Sequence, residues 1–304
     1  MILNVKNETS KLEAVVLGIP DSMGPEPTLE QTYDAKSYES VKLGLYPKEE
    51  DVRAEMNAFE EVLKKHGVQV FRPWILEDCN QIFARDVAMV IDDKLIISNI
   101  IPDRADEQEA YERIISSVAQ DKVIRVPEEV HVEGGDVILW NEFMFIGTYK
   151  QPDYKNFKTA RTNFEAVQFF KDLFPNKWVI DLELVKDDHD PYKGILHLDC
   201  TFQPVGHNKA IIYKDGFRNS MHYDILISLF GRDNVFEVTQ EEMYWMNPNV
   251  FSISPEVVVS EKNFTRLNNH MRNEWGMTVE EIPYRNVSRM GGLLRCSTMP
   301  LIRE

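Results

Sequence analysis

The feature that most constrains this chain is an amphipathic helical stretch followed by a short β-branched run, a pattern that occurs five times. It falls at 51–66 then 68–73, 107–120 then 122–127, 160–173 then 177–182, 221–230 then 234–238, and 262–275 then 277–283. Val70, Ile124, Val179, Phe236 and Val279, central in the short runs, are 54, 55, 57 and 43 residues apart. Ahead of the later four helices lie apolar segments at 87–100, 136–149, 201–213 and 250–260. Their alternation, and interrupting polar turns such as Asp92-Asp93 and Trp140-Asn141, predict strand pairs. The repeating unit is therefore strand, strand, helix, strand. The first unit has only 14–20 ahead of its helix, and the apolar tail 298–303 (TMPLIR) is placed to supply the missing strand. Mixing the two chain ends in one sheet closes the array and protects edges that an open one exposes. The expectation is one α/β domain over 1–304. Two ordinary α/β domains are the competing reading, since the repeats share period and not sequence. Segment 21–50, rich in Pro, Glu and Tyr, lacks periodicity and is too long for a plain connection, which points to a lid.

Composition narrows the partners. The chain has 304 residues, 43% hydrophobic and 28% charged, a globular mix long enough to bury a core without disulfide staples. It carries 34 Lys and Arg against 50 Asp and Glu, a formal charge of −16, with no basic run to offset it. That field disfavours nucleic acid and anionic membranes and suits a cationic small molecule. Cys79, Cys200 and Cys296 cannot all pair and lack the close spacing of zinc or redox sites. The N-terminus has no basic region followed by an apolar stretch, and no apolar run reaches the length of a membrane span. A soluble, reduced, cytoplasmic protein is expected, with homo-oligomerisation left open.

A polar cluster stands immediately before the first strand of each later unit: Phe83-Ala84-Arg85-Asp86, Glu133-Gly134-Gly135-Asp136, His197-Leu198-Asp199 and Asn247-Pro248-Asn249. Gly291-Gly292-Leu293-Leu294-Arg295-Cys296 stands in the same relation to the closing strand. Around a common axis these loops converge at one end, where strands hold their groups rigidly. Singly, each has a bland explanation: an ion pair, a tight turn, a core histidine, an inert buried thiol. Isolated coincidences would not sort themselves one per unit, so the joint reading is functional. Packing accounts for Cys79 and Cys200, and the run Asp187-Asp188-His189-Asp190 reads as a solvated turn whose crowded groups make a poor metal site. Neither HExxH, a Walker loop, GxSxG nor GxGxxG occurs, and the sequence calls for no cofactor and no metal.

A cysteine, a histidine and several carboxylates suggest covalent catalysis, with a thiolate attacking an electrophilic carbon and histidine moving protons. Asp86, Glu133, Asp136 and Asp199 would form a strongly acidic pocket that hinders thiolate formation unless the substrate brings positive charge. A guanidinium does, and it offers paired planar donors to carboxylates.

At these residues the chain resembles the guanidino-group-modifying superfamily of arginine deiminases, glycine amidinotransferases and dimethylarginine dimethylaminohydrolases. The matching stretches are NQIFARD at 80–86, HVEGGDV at 131–137, HLDCTF at 197–202 and MGGLLRCSTMPLIRE at 290–304, in the family's order. The resemblance implies a five-unit α/β propeller, or pentein, and a covalent Cys-amidino intermediate. It implies Cys296 as nucleophile, His197 as general acid/base, Glu133 and Asp199 binding the guanidinium and orienting the site, and Asp86 holding its other nitrogens. Asn80, Arg85 and Arg295 become candidates for the substrate's carboxylate end, and Asp136 a brace for its turn. EGGDV and RCSTMPLIRE look deiminase-like, which favours hydrolysis, although the chain has no room for those enzymes' inserted helical bundle. The stretch at 46–73 and the Thr201-Phe202 pair resemble amidinotransferases, which pass the amidino group to an amine. A non-catalytic ribosome-binding propeller shares the architecture and is the remote alternative.

Overall fold

The computed structural model describes all 304 residues. Its strands are β1 (Leu12–Leu17), β2 (Gln69–Phe71), β3 (Ala88–Ile91), β4 (Lys94–Ile97), β5 (Val123–Arg125), β6 (Val137–Trp140), β7 (Phe143–Thr148) and β8 (Trp178–Glu183). They continue as β9 (Phe202–Val205), β10 (Lys209–Ile212), β11 (Val235–Glu237), β12 (Phe251–Ser254), β13 (Val257–Glu261), β14 (Thr278–Ile282) and β15 (Thr298–Arg303). These form five three-stranded sheets, ordered β15-β1-β2, β3-β4-β5, β6-β7-β8, β9-β10-β11 and β12-β13-β14.

All five sheets share one plan, with the middle strand antiparallel to the first and parallel to the third. The antiparallel pairs turn tightly, with Asp92, Asn141 and Asn208 at φ of 53°, 54° and 56°, a left-handed geometry that short polar side chains tolerate. The parallel pairs need a crossover, which the helical segments supply. The central residues of the short runs each face a middle strand: Val70 opposite Val15, Ile124 opposite Ile96, Val179 opposite Met144, Phe236 opposite Ile211 and Val279 opposite Val258. The C-terminal tail takes the missing first-strand place, with Val15 opposite Pro300 and Val16 opposite Met299.

Both faces of the sheets are covered. Along β1, Val15 and Leu17 belong to one apolar cluster while Ala14 and Val16 belong to the other, as alternate strand positions must, and Leu12 joins the first cluster across a register irregularity between it and Ala14. The helix Glu49–Lys65 buries Val52, Met56, Phe59 and Leu63, one stripe at helical spacing. Its first turn carries Glu49, Glu50 and Asp51 and its last Lys64 and Lys65, charges that oppose the helix dipole. No helix is long and apolar enough to cross a membrane.

Three departures from the expected elements have physical causes. In place of a helix over 107–120 there is a 3₁₀ segment, Pro102–Tyr111, followed by a short α-helix, Glu112–Ser116. Three residues per turn put Arg104 and Glu107 on one face, and both turn inward. The third helix starts at Phe164, capped by Asn163, because Arg161 and Thr162 are drawn to buried carboxylates. Segment 21–50 contains a regular element after all, the helix Ala35–Lys42 capped by Asp34. Its amphipathic stripe is built of Ala35, Lys36, Ser37 and Ser40, small or polar residues that a search for apolar periodicity passes over.

Candidate active site

The loops ahead of β3, β6, β9, β12 and β15 are joined by hydrogen bonds into a closed circuit. Gly135 N donates to Asp86 Oδ1 at 3.2 Å and Leu198 N to Asp136 Oδ1 at 2.9 Å. Asn249 Nδ2 donates to the Asp199 carbonyl at 3.3 Å, and Arg295 N to Asn249 Oδ1 at 2.9 Å. Arg85 N donates to the Cys296 carbonyl at 3.0 Å, which returns the circuit to the first loop. Glycine permits the closest approaches: a Cβ on Gly135 would sit 2.6 Å from His197 Nδ1, and one on Gly292 would sit 2.3 Å from the Phe83 ring.

One flank of this circuit is built around sulfur. Cys296 is buried, with Sγ 3.6 and 3.8 Å from the two oxygens of Asp199 and 3.2 Å from Asn249 Nδ2. Contact with the Cys200 thiol, burial and the Asp199 charge hold the Cys296 thiol well above its ordinary range, and His197 only partly offsets them. These neighbours favour the protonated thiol until a further cation arrives. Asp199 also accepts from Arg295 Nη1 at 2.9 Å, and Arg295 in turn grips Glu8 at 2.9 and 3.1 Å.

The other flank is built around imidazole. His197 Nε2 lies 2.8 Å from Glu133 Oε2, while Nδ1 makes no hydrogen bond and lies 3.7 Å from Asp86 Oδ1. Burial alone would favour neutral His197, but Asp86, Cys296 and Glu133 together raise it well above its ordinary value. These neighbours favour the imidazolium. Burial likewise opposes charge on Glu133, yet Arg161 and His197 hold it far below the usual carboxylate range.

The expectation of a strongly acidic pocket needs correction. Arg104 Nη1 sits 2.7 Å from Asp86 and 3.7 Å from Glu133, and Arg161 Nη1 sits 2.7 Å from Glu133. With Arg295 on Asp199, three guanidinium groups neutralise carboxylates that would otherwise be buried unpaired at great cost. Even so, Oδ1 of Asp86 and Oδ1 of Asp199 each remain without an arginine partner. Asp86, Glu133 and His197 place ligand atoms within 4.8 Å of one another, a spacing a cation could use, but Arg104 and Arg161 already supply positive charge there.

The remaining candidates spread out. Asp136 accepts from Thr162 Oγ1 and Leu198 N and braces two loops. Arg85 and Arg295 differ from their expected setting at a substrate's carboxylate end: both are buried beneath the circuit. Arg85 donates to the Arg295 carbonyl and Thr298, and burial, reinforced by the Arg295 charge, pushes it down to about 9. Asn80 lines a cavity of about 610 Å³ between segment 21–50 and loops 76–80 and 103–109, which Tyr33, Arg104 and Glu107 also line. Cys79 lines this cavity too, half-buried, so packing does not fully account for it. Cys200 is buried with Sγ 3.6 Å from Asp199 Oδ1. Asp187 and Asp188 are not simply solvated: Asp187 Oδ1 accepts from His189 N and Asp190 N, and Asp188 accepts from Lys158 N, Thr159 N and Thr159 Oγ1.

Sequence reasoning missed Arg104, Arg161, Glu8 and the specific part of Asn249. The circuit position of Asn249 was readable; its contact with sulfur was not. Arg104 and Arg161 lie in crossover segments, where no repeat position marks them.

A family model described as N,N dimethylarginine dimethylhydrolase, eukaryotic, matches residues 29–303. YkgA, an uncharacterized protein of Bacillus subtilis (strain 168), is 24% identical over 302 residues, covering 98% of this chain and 94% of its own. An arginine deiminase of Bacillus cereus (strain ATCC 10987 / NRS 248) is 26% identical over 271 residues, which cover 74% of this chain and 62% of the deiminase. The chain thus spans less than two thirds of that enzyme's length. The solved structure of inosamine-phosphate amidinotransferase StrB1 from Streptomyces griseus superposes with a TM-score of 0.77 at 16% identity, covering 99% of this chain and 97% of that one. That likeness concerns the fold alone. With nearly its whole length matched, the chain belongs to the N,N dimethylarginine dimethylhydrolase family, within the superfamily of guanidino-group hydrolases and amidinotransferases.

Proposed function

We propose that this protein hydrolyses the guanidino group of arginine or an arginine-like small molecule, N-methylated arginines included, through a covalent thiouronium on Cys296. The five units then form a closed α/β propeller in one catalytic domain, 1–304, with the circuit of loops at its axis. The observation that carries the reading is the buried thiol of Cys296 beside Asp199, in one circuit of loops with a His197 that Glu133 holds at 2.8 Å. A substrate guanidinium takes the Oδ1 atoms of Asp86 and Asp199, which no arginine holds, and its charge offsets what keeps Cys296 protonated. The thiol releases its proton to solvent as the cation binds, Sγ attacks the central carbon, His197 gives a proton to the departing amine, and the cationic thiouronium forms. His197 then takes a proton from water, which attacks the same carbon and expels the sulfur; the last proton of the cationic adduct returns to the sulfur as the thiol, leaving a neutral ureido product.

Arginine and N,N-dimethylarginine are the first substrates to test. A ureido product with ammonia or dimethylamine released is expected, and quenched reactions should show an amidino-type adduct on the peptide holding Cys296. Cys296→Ser should remove turnover while the protein stays folded; substantial activity in the pure variant would overturn the assignment. Glycine and other amines belong in the same assay, because amidino transfer in place of hydrolysis would move the protein to the amidinotransferase branch. Extensive chelation should leave the rate unchanged.

A further inference from the structure

We propose that Asn249 is a catalytic residue, whose side-chain N–H donates to Cys296 Sγ and stabilises the thiolate while its carbonyl fixes the backbone that carries the sulfur. This rests on the hydrolase reading and adds a group that the matching motifs do not include. Asn249 is fully buried at the head of β12, and its amide makes four contacts. Oδ1 accepts from Arg295 N at 2.9 Å and Cys296 N at 3.2 Å. Nδ2 donates to the Asp199 carbonyl at 3.3 Å and lies 3.2 Å from Cys296 Sγ.

The orientation of the amide is fixed by chemistry. Two backbone N–H groups can only donate, so the atom facing them must be the oxygen. The NH₂ group is thereby turned toward the sulfur and the Asp199 carbonyl. Around Cys296 the other groups, Asp199 and the Cys200 thiol, oppose a thiolate, and His197 is the one cationic neighbour. Asn249 is a neutral donor that strengthens as negative charge develops on sulfur, in both the attacking step and the expulsion from the thiouronium, and it does so without moving. No aspartate could serve there, since its second oxygen would face Sγ with no proton to offer.

The test is Asn249→Asp, nearly the same shape, which keeps an acceptor for both backbone amides but loses the donor to sulfur. Two readouts are compared with the wild type: steady-state kinetics on the best guanidine, and the rate of Cys296 alkylation by iodoacetamide as a function of pH. We expect kcat to fall roughly ten- to a hundredfold, the range for a hydrogen bond to a charged group, with KM changed by less than about threefold. The alkylation profile should move to higher pH in Asn249→Asp and, by a smaller amount, in Asn249→Ser, which adds no charge beside the sulfur and so isolates loss of the donor; a profile unchanged in Asn249→Ser would leave Asn249 a structural role only. Should this variant fold poorly, Asn249→Ser gives the same comparison, its hydroxyl being too short to serve both the backbone and Sγ. If alkylating wild-type Cys296 leaves turnover intact, the hydrolase reading falls, and the role of Asn249 with it. If alkylation abolishes turnover but the folded variant matches the wild type in kcat and profile, only the role of Asn249 falls.

Discussion

The two flanks of the site carry the same elements, a carboxylate held by an arginine, yet they differ in what surrounds the pair. On the sulfur flank Arg295 is locked between Asp199 and Glu8, gives Nη2 to the Val137 carbonyl, and is wholly enclosed. On the imidazole flank Arg104 and Arg161 hold Asp86 and Glu133 beneath Tyr33, whose ring lies 6.0 and 5.6 Å from their guanidinium carbons. Tyr33 and Arg104 line the cavity, and Arg161 Nη2 donates to the Tyr33 carbonyl. A guanidinium sealed on all sides is scaffold. Arg104 instead stands at the wall of a cavity of about 610 Å³, where a guanidinium substrate of the proposed reaction would enter beside it.

The largest effects should separate along this line. Asp86→Asn and Glu133→Gln each remove one negative charge from a buried, paired site. Losing such a partner costs on the order of 3–5 kcal/mol, or about two to four decades in kcat/KM if the loss falls on the transition state. Arg295→Met should place a loss of similar size, about 3–5 kcal/mol, on folding, measured by denaturant unfolding, because Glu8 and Asp199 would both be stranded. Similar unfolding midpoints for all three variants would erase the distinction between the flanks.

His197 and Glu8, one on each flank, tie stability to opposite ends of the pH scale. His197 is raised above its ordinary 6.5, so its contribution to stability is complete below that value and is lost as pH rises through the folded value. Glu8 runs the other way: burial opposes its charge, but Arg295 and Arg85 lower it from 4.5 to about 2. Its contribution is present above 4.5 and disappears as pH falls toward about 2. Unfolding free energies followed against pH should show Glu8→Gln flattening only the acid limb, and Glu133→Gln flattening both limbs, because it removes a carboxylate held far below its ordinary range together with a partner of His197. An acid limb unchanged in Glu8→Gln would break the assignment.

Much of this comparison is legible in the amino-acid sequence, and the part that is not has a common cause. Period located the third strands, and the place of the polar loops ahead of first strands located Asp86, Glu133, His197, Asn249 and Cys296 together. Strand order does this because every unit presents the same end of its first strand to the circuit. The arginines that balance the carboxylates come from crossover segments, and a crossover's exact path depends on tertiary pairing. Arg104 reaches Asp86 only because 102–111 is wound as a 3₁₀ segment, and Arg161 only because its helix starts late. Glu8 lies 287 residues from Arg295, a pairing no local pattern contains.

The smallest expected effect divides two neighbours that looked alike in the sequence. Asp187 uses one oxygen, Oδ1, to accept from His189 N and Asp190 N. An asparagine carbonyl closes such a turn equally well, so Asp187→Asn should leave stability and kcat/KM within about threefold of the wild type. Asp188 uses both oxygens, Oδ2 on Lys158 N and Oδ1 on Thr159 N and Oγ1. Asparagine can supply only one acceptor, so its NH₂ would face a backbone N–H, at a cost of about 1 kcal/mol. The strain falls on a segment that matters, because the Lys158 carbonyl accepts from Arg161 Nε and Lys158 Nζ reaches Asp103 at the cavity. Asp188→Asn should therefore raise KM several-fold with kcat nearly unchanged. Equal behaviour of the two variants would mean that the position of Arg161 does not depend on this anchor, and that the imidazole flank is as rigid as the sulfur flank.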